Sequence, residues 1–259
     1  MAEGDLGAIV ERMRPSPRAL LVAAGSLGAA AGVAAWVRHL AVRQRRWSGL
    51  LSDAIPVHSA FWRAQARKTG ELLYVAVGDS AAQGIGASRP SHGYVGVVAR
   101  HLRQQSGSSV RVVNLGISGA TLHDAIEREL PRLARLEPDL LTVSIGANDI
   151  AHFDPVRFGA EVEELLDALP AHAVVADLPS FYFLPGERKV IDANRKLRAA
   201  ASRRGLRVVP LHRLTRRQGL WGVTTQFAGD LFHPNDRGYR IWASAFTPAL
   251  DDRLRALGR

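Results

Sequence analysis

A serine stands in this sequence where a nucleophile could work. Ser80 follows Leu72–Val77, an apolar run that predicts a buried strand, and mostly small residues surround it. A serine held at the carboxyl end of such a strand is well placed to attack a bound substrate. Taken alone, the stretch better fits an ordinary turn after a strand, where Gly, Asp and Ser are common. Ser80 therefore needs partners elsewhere in the chain before a chemical role is favoured.

The partners that a serine nucleophile requires are a base and a carboxylate that orients the base. Asp230 and His233 lie three residues apart in GDLFHPND, close enough for the carboxylate to hold the imidazole from one turn. By itself, this pair is better explained as a surface turn that leads into the last helix. Together with Ser80, it supplies the three groups that acyl transfer by a serine needs.

Two further residues could stabilise the negative charge that develops on a carbonyl oxygen in such a reaction. Gly116, in NLGISG, lets a backbone amide approach a substrate without a side chain in the way. Asn148, in GANDI, offers a carboxamide donor just after the third predicted strand. The alternatives are that Gly116 only ends a strand and that Asn148 only satisfies backbone groups of its loop.

Several other kinds of site are disfavoured. The sequence contains no cysteine, which excludes disulfides and thiolate metal sites. Its carboxylates and histidines do not form a metal-binding set, and neither a dinucleotide fingerprint nor a Gly-Lys-Ser/Thr phosphate loop occurs. We therefore expect no metal and no cofactor. Nucleic-acid binding is not expected either, because residues 71–259 carry 24 basic against 20 acidic side chains.

From Glu71 onward, apolar runs of strand length alternate with amphipathic helical segments. This alternation predicts an α/β domain whose parallel sheet is covered by helices on both faces. Functional residues collect beyond the carboxyl ends of the strands in such sheets, and Ser80, Gly116 and Asn148 all follow predicted strand ends. The five predicted strands are Leu72–Val77, Val110–Leu115, Asp139–Ile145, Ala173–Leu178 and Arg207–Leu211.

Four short blocks, GDSAAQGIG, NLGISG, GANDI and DLFHPN, occur in this order and spacing. Together they resemble the four blocks of the SGNH/GDSL hydrolase family, over roughly residues 71–250. The resemblance implies a flavodoxin-like three-layer α/β/α domain with a central parallel sheet of about five strands. It also implies that Ser80 is the nucleophile, His233 the general base and acid, and Asp230 its orienting carboxylate. The implied oxyanion hole consists of the backbone amides of Ser80 and Gly116 and the side chain of Asn148.

The chain departs from the family pattern at Leu231, where the family often has Gly after the catalytic Asp. The Asp-x-x-His spacing is intact, but a leucine could reshape the pocket beside the base. After the hydrolase domain, residues 251–259 are predicted to form a C-terminal tail.

A stretch near the amino terminus has the length and composition of a membrane span. Residues 19–37 include no charged side chain, and about 20 apolar residues cross a bilayer. Residues 1–70 supply +6 of the formal charge of +10, and this excess suits lipid headgroups around the span. A signal peptide and a buried core helix are the alternatives. We predict a polar tail over 1–18, a single transmembrane helix over 19–37 and a juxtamembrane connector over 38–70.

Three arginines precede the predicted span and four follow it, which slightly favours a cytoplasmic catalytic domain. Gly28 and Gly32 have the small-xxx-small spacing that can mediate helix pairing, although Ala-rich sequence produces this pattern by chance. Aromatic residues of the connector lie among arginines, and they either sit at the membrane interface or pack on the globular domain. They are Trp47, Phe61 and Trp62.

These features predict a membrane-anchored serine ester hydrolase, esterase-like or lipase-like, that acts through an acyl-enzyme. Its position makes an acyl lipid, or another ester near the membrane, a suitable substrate. The same machinery would serve a carbohydrate or small-molecule O-acetylesterase, or an acyltransferase. A catalytically silent membrane scaffold is the alternative outside the enzymes, and labelling of Ser80 by a serine-directed fluorophosphonate would separate it from them.

Overall fold

The computed structural model describes the backbone of residues 17–182 and 184–259. The predicted polar tail lies outside the described residues up to residue 16, and so do most side chains of residues 17–48. The chain divides into two compact units, Met1–Arg46 and Trp47–Arg259. The second unit contains the sheet and every site residue named above.

The first helix, α1, spans Pro17–Ala66 and includes the predicted membrane segment, residues 19–37. Most side chains of this segment lie outside the described residues, and the predicted pairing positions Gly28 and Gly32 fall within the same segment. In the part of the chain that the structure describes, no helix is both long and apolar enough to cross a membrane.

Helix α1 continues through residues 38–66 of the predicted connector, residues 38–70, and Pro56 lies inside it. A proline in a helix interior costs about 3 kcal/mol or more because it removes a hydrogen bond. Burial of His58 and Trp62, each only 4% exposed, offsets this cost. Phe61 and Trp62 both pack on the core, so these two aromatics adopt the packed alternative.

The sheet has five parallel strands in the order β2-β1-β3-β4-β5, which confirms the predicted three-layer α/β fold with a parallel sheet. The strands are β1 Leu72–Gly78, β2 Val110–Asn114, β3 Leu140–Ser144, β4 Val174–Ala176 and β5 Arg207–Val209. The chain first moves from β1 to β2 and then crosses to β3 on the other side of β1. A crevice therefore opens beyond the carboxyl end of β1, where ligands bind in folds of this kind.

Helices pack on both faces of the sheet. Those after β1 are α2 Ser80–Gln83, α3 Tyr94–Ser106, α4 Leu122–Asp124, α5 Leu130–Leu133, α6 Pro155–Asp167, α7 Gly186–Arg203, α8 Leu211–Arg216, α9 Gly219–Thr225 and α10 Asp236–Ala256. Alternate residues of β1 enter the two hydrophobic cores on opposite faces of the sheet. Tyr74 and Ala76 belong to the core that includes α3 and α10. Val75 and Val77 belong to the core that includes α6 and α7. The sheet is thus buried on both faces, as its continuous apolar strands predict.

The predicted C-terminal tail, residues 251–259, is corrected by the structure. Helix α10 starts after Asn235, whose side chain accepts two backbone N–H groups of the first turn, and it continues through most of the tail. Leu254 is 2% exposed and belongs to the core, while Arg253 Nε donates to a backbone carbonyl at 3.0 Å. Because the apolar face of α10 reaches its last turn, these residues belong to the folded domain.

Candidate active site

Ser80 begins α2 directly after β1, at the crevice in the sheet. The side chain of Asp79 caps this short helix by accepting the N–H of Ala81 at 2.8 Å. Gly84 ends it in the left-handed region, with a φ of 78°. Asp79 and Ser80 are only 4% and 7% exposed. The cap and the strand together hold Ser80 in one position.

The loop after α2 runs against the segment that carries His233. Gly86 has a φ of 97°, and a Cβ there would lie 2.5 Å from Pro234 O and 2.9 Å from His233 Cβ. These distances are shorter than real contacts, so only glycine permits the approach. The hydroxyl of Tyr239 donates to Ile85 O at 2.6 Å and fixes the same loop to α10.

Ser80, His233 and Asp230 form one hydrogen-bonded chain. His233 Nε2 lies 3.0 Å from Ser80 Oγ, and His233 Nδ1 lies 2.6 Å from Asp230 Oδ2. Asp230 Oδ1 also accepts the backbone N–H groups of Phe232 and His233, each at 3.1 Å. The structure thus brings together the three side chains that the sequence singles out, with the contacts that a nucleophile, a base and an orienting carboxylate require.

The pKa values of two buried aspartates near the nucleophile are shifted in opposite directions. Burial opposes the ionisation of Asp230, but the hydrogen bond and charge of His233, with two backbone N–H groups, hold the pKa of Asp230 below its ordinary value. Burial raises the pKa of Asp79 to about 6, which the N–H of Ala81 and the charge of His233 only partly offset. Asp230 is therefore the fixed negative charge that stabilises a protonated His233.

The structure does not place Gly116 at an oxyanion site, and this prediction is corrected. Its N–H donates to Asn114 Oδ1 at 3.0 Å, and its carbonyl accepts Gln83 Nε2 at 2.7 Å. A Cβ at Gly116 would lie 2.8 Å from Ala82 Cβ, so this glycine permits close packing on α2. Both polar groups of the Gly116 backbone are occupied within the protein.

Gly119, from the same NLGISG block, lines the cavity at Ser80 together with Asn148 and His233. It has a φ of 81° and lies in a turn closed by a backbone hydrogen bond of 3.0 Å. Among the residues that the structure describes, no acceptor takes the N–H of Ser80 or of Gly119. The sequence does contain a sign that Gly119 occupies a turn, because the third position of a turn often requires a positive φ, which glycine adopts readily.

Asn148 lies in the wall of the same cavity. Its Nδ2 donates to Ala120 O at 2.8 Å, which orients the carboxamide and leaves its second N–H for a ligand. The neighbouring Asp149 accepts the N–H of Leu122 at 3.1 Å, and burial raises the pKa of Asp149 to about 6. These two contacts attach the loop after β3 to the start of α4.

Ser80 and His233 lie between two cavities. The apolar cavity has a volume of about 210 Å³. Aromatic and aliphatic side chains dominate its wall: Phe181, Val223, Phe227, Leu231, Phe232 and Trp242. The helix-side cavity has a volume of about 250 Å³, and α1 supplies part of its wall. Its residues include Leu51, Ser52, Ile55, Ser118, Gly119 and Asn148.

Helix α1 also supports the nucleophile helix. The carbonyl of Gln83, at the end of α2, accepts Trp62 Nε1 at 3.0 Å and lies 2.9 Å from His58 Nδ1. Ser59 Oγ donates to Gln83 Oε1 at 3.1 Å. Sequence analysis missed this role of α1, because apolar and aromatic residues among arginines are equally typical of a membrane interface.

Leu231 keeps the backbone conformation that glycine favours. Its φ is 59°, in the left-handed region, which costs a residue with a side chain roughly 1–2 kcal/mol. The side chain is 46% exposed and forms part of the apolar cavity. The leucine therefore fills space beside His233 while the turn from Asp230 to His233 retains its geometry.

A buried carboxylate holds the loop that forms one wall of the apolar cavity. Glu187 Oε2 accepts Ser180 Oγ at 3.0 Å and the N–H of Phe181 at 2.8 Å. Glu187 Oε1 lies 2.9 Å from His212 Nε2 and accepts Arg216 at 2.6 Å. Sequence analysis missed this cluster because its members come from three separate segments. Within the described residues, no three Asp, Glu, Cys or His side chains are grouped so as to hold a metal ion.

Residues 76–241 match the family model of the GDSL-like lipases/acylhydrolases. The match covers more than half of the chain, so the chain belongs to the GDSL-like lipase/acylhydrolase family. It is a serine hydrolase that acts on ester bonds. None of the curated proteins compared with this chain matches it.

Solved structures share the fold. TesA is 26% identical, with a TM-score of 0.59 over 70% of this chain and 99% of that chain. LAE5, an alpha/beta hydrolase enzyme from the metagenome of Lake Arreo, Spain, is 24% identical, with a TM-score of 0.59; the match covers 73% of this chain and 99% of LAE5. Axe2, an acetylxylan esterase from Geobacillus stearothermophilus, is 21% identical, with a TM-score of 0.55; the match covers 69% of this chain and 94% of Axe2.

Proposed function

We propose that this chain hydrolyses acyl esters through an acyl-enzyme on Ser80, with His233 as general base and acid and Asp230 as its orienting carboxylate. The observation that carries the proposal is the continuous hydrogen-bonded chain, 3.0 Å from Ser80 Oγ to His233 Nε2 and 2.6 Å from His233 Nδ1 to Asp230. Nε2 accepts the serine proton only when Nδ1 carries the ring proton, and Asp230 favours that tautomer.

In the first half of the reaction, Ser80 Oγ bonds to the ester carbonyl carbon while His233 Nε2 takes the hydroxyl proton. The resulting oxyanion collapses, the bond to the alcohol oxygen breaks, and His233 returns the proton to that oxygen. In the second half, His233 takes a proton from water as the water oxygen bonds to the acyl carbon. The acid then leaves, and Ser80 regains its proton. These steps need no cofactor.

For the oxyanion, we propose three donors: the N–H groups of Ser80 and Gly119 and the side chain of Asn148. All three residues line the helix-side cavity beside His233. Donors that are fixed before the reaction stabilise the developing charge without reorganisation. Gly119 takes the role that the family resemblance places on Gly116, whose N–H is already used within the protein.

The apolar cavity is proposed to hold the acyl chain. Its volume is about 210 Å³. An apolar protein cavity of about 150 Å³ holds a benzene ring, which has six carbon atoms, so this cavity accommodates roughly eight. An acetyl group would leave most of this space empty. Esters with acyl chains of medium length therefore fit best.

We further propose that residues 19–37 anchor the enzyme in a membrane as a single pass, with the catalytic domain on the cytoplasmic side. The support is the sequence: nineteen successive uncharged residues with arginines on both flanks. Gly28 and Gly32 offer a spacing at which two such helices could pair. An anchored chain should stay in the membrane pellet at alkaline pH and dissolve only in detergent. Release at alkaline pH would contradict the anchor.

O-acetyl ester hydrolysis is a second candidate function. Axe2, a protein with the same fold, is described as an acetylxylan esterase. Acyl transfer to an acceptor other than water would use the same acyl-enzyme, whereas a catalytically silent scaffold would form none.

The test is hydrolysis of p-nitrophenyl esters from acetate to palmitate by the full-length chain. We expect an optimum near hexanoate or octanoate. Activity should vanish in Ser80→Ala and persist in Ser202→Ala, a matched change at an exposed serine of α7. An optimum at acetate would favour the second candidate. Near-normal activity in Ser80→Ala would overturn the mechanism.

A further inference from the structure

A third cavity, which we name the arginine cavity, adjoins the helix-side cavity. Ile55 of α1 and Ser118 of the loop after β2 line both of them. The arginine cavity has a volume of about 360 Å³ and is bounded by α1 and residues 113–118. Two basic side chains, Arg63 and Arg132, complete its wall. The cavities therefore follow one another from Ser80, past Ser118, to a pair of arginines.

The positive charges of this pair are not neutralised by the protein. In the part of the chain that the structure describes, neither arginine forms a salt bridge, and Arg132 donates only to Leu115 O at 3.5 Å. The arginine cavity has no Asp or Glu in its described lining. The charge of Arg132 acts on the buried Glu129, but burial is the larger effect and raises the pKa of Glu129 to about 8, so this carboxyl is mostly neutral at pH 7. The pair is thus available to an anion.

A buried hydroxyl lies where the two cavities meet. Ser118 Oγ is inaccessible to solvent and has no hydrogen-bond partner among the described residues. Leaving such a group unpaired costs on the order of 1–3 kcal/mol, which a bound polar ligand recovers. Because Ser118 lines both cavities, a rotation of its side chain would bring this hydroxyl to a polar ligand on the same path, and this is independent of the arginines.

We propose that the helix-side and arginine cavities bind the alcohol portion of the substrate and that this portion carries a phosphate group. The inference rests on the proposed function of Ser80. An ester bound at the nucleophile directs its acyl chain and its alcohol portion along different paths. The aromatic and aliphatic apolar cavity suits the acyl chain, whereas the path past Ser118 suits a polar alcohol.

A phosphate fits the end of this path better than other anions do. Guanidinium groups bind phosphate oxygens through paired N–H donors, and two of them match the double negative charge of a phosphate monoester. A carboxylate would carry only one charge. Such a phosphate belongs either to a lipid headgroup or to a soluble phosphorylated alcohol, and the experiment separates these sources.

The experiment compares kcat/KM for 1-hexanoyl-glycerol 3-phosphate and 1-hexanoyl-glycerol, both as soluble monomers, with the full-length chain. We expect the phosphate ester to be preferred. An exposed charge pair contributes up to about 1 kcal/mol, so the preference should fall about fivefold in Arg63→Ala and again in Arg132→Ala, mainly through KM. Arg135→Ala removes the same charge just after α5, outside the cavity lining, and should leave the preference unchanged.

A second substrate, 1-palmitoyl-glycerol 3-phosphate in phosphatidylcholine vesicles, shows whether the phosphate belongs to a lipid headgroup or to a soluble alcohol. A preference confined to vesicles supports a lipid headgroup, and a preference for the soluble ester supports recognition of the phosphate itself. Equal kcat/KM for the charged and neutral esters in both presentations would overturn the proposal. An equal loss of preference in Arg135→Ala would do so as well.

Binding of glycerol 3-phosphate, measured by calorimetry, separates this inference from the proposed mechanism. Binding that weakens in Arg63→Ala and Arg132→Ala supports the phosphate site even if no ester is hydrolysed. Hydrolysis of the neutral ester without any phosphate preference or glycerol 3-phosphate binding would refute the site and leave the Ser80 mechanism intact.

Discussion

Replacing Glu129 by Gln should remove a strong pH dependence of folding stability. Glu129 is fully buried in the π-helical turn between α4 and α5. Its Oε2 accepts the N–H of Gly78, two residues before Ser80, at 2.9 Å, and its Oε1 is buried without a partner in the described structure. Burial raises the pKa of Glu129 from 4.5 to about 8, and the N–H of Gly78 only partly opposes this.

The sign and size of the effect follow from this pKa. Because the pKa of Glu129 is higher in the folded chain, the folded state keeps a proton that the unfolded state releases as pH rises above 4.5. The stability from this group is complete below pH 4.5 and is lost as pH rises to about 8. Each pKa unit corresponds to about 1.4 kcal/mol, so the total loss approaches about 5 kcal/mol.

The assay is urea unfolding of the full-length chain between pH 5 and pH 9, followed by tryptophan fluorescence. As pH rises, the free energy of unfolding should fall more slowly for Glu129→Gln than for the unchanged protein. The difference between the two slopes should be about 1.4 kcal/mol per pH unit up to pH 8. Glu127→Gln, a matched change at an exposed residue of the same turn, should keep the original slope. Parallel curves for Glu129→Gln and the unchanged protein would refute a buried, neutral Glu129.

Two substitutions test the surroundings of His233. Gly86→Ala should lower kcat by on the order of tenfold to a hundredfold, because the new Cβ displaces His233. Gly107→Ala is its control, since Gly107 also has positive φ but has open space around its Cβ; equal losses in both variants would contradict this account. Leu231→Gly should relieve about 1 kcal/mol of backbone strain and shift the p-nitrophenyl optimum to longer acyl chains. An unchanged chain-length profile would show that Leu231 does not limit the apolar cavity.

The parallel sheet was predictable because continuous apolar runs mark strands that are buried on both faces. All five predicted strands occur, each within a few residues of its predicted bounds. Contacts between distant segments were not predictable. The hydrogen bond from Trp62 to Gln83 joins α1 to the end of α2, and it depends on how the two helices pack rather than on the sequence near either residue.

The candidate site shows the same division. Ser80, Asp230 and His233 meet as the sequence suggests. Ser80 directly follows β1, and Asp230 and His233 share one turn just before α10. The choice between Gly116 and Gly119 required the structure. Both glycines lie in one loop, and only the hydrogen bond from Gly116 to Asn114 shows that the first amide is occupied.

The most direct test of the central claim is covalent trapping of the nucleophile in the full-length chain. Incubation with a fluorophosphonate and mass spectrometry of the peptides should show one adduct on Ser80, with labelling much slower in His233→Ala. Ser202→Ala should be labelled like the unchanged protein. Absence of labelling, or an adduct on another serine with Ser80 unmodified, would contradict the assignment of Ser80 as the activated nucleophile.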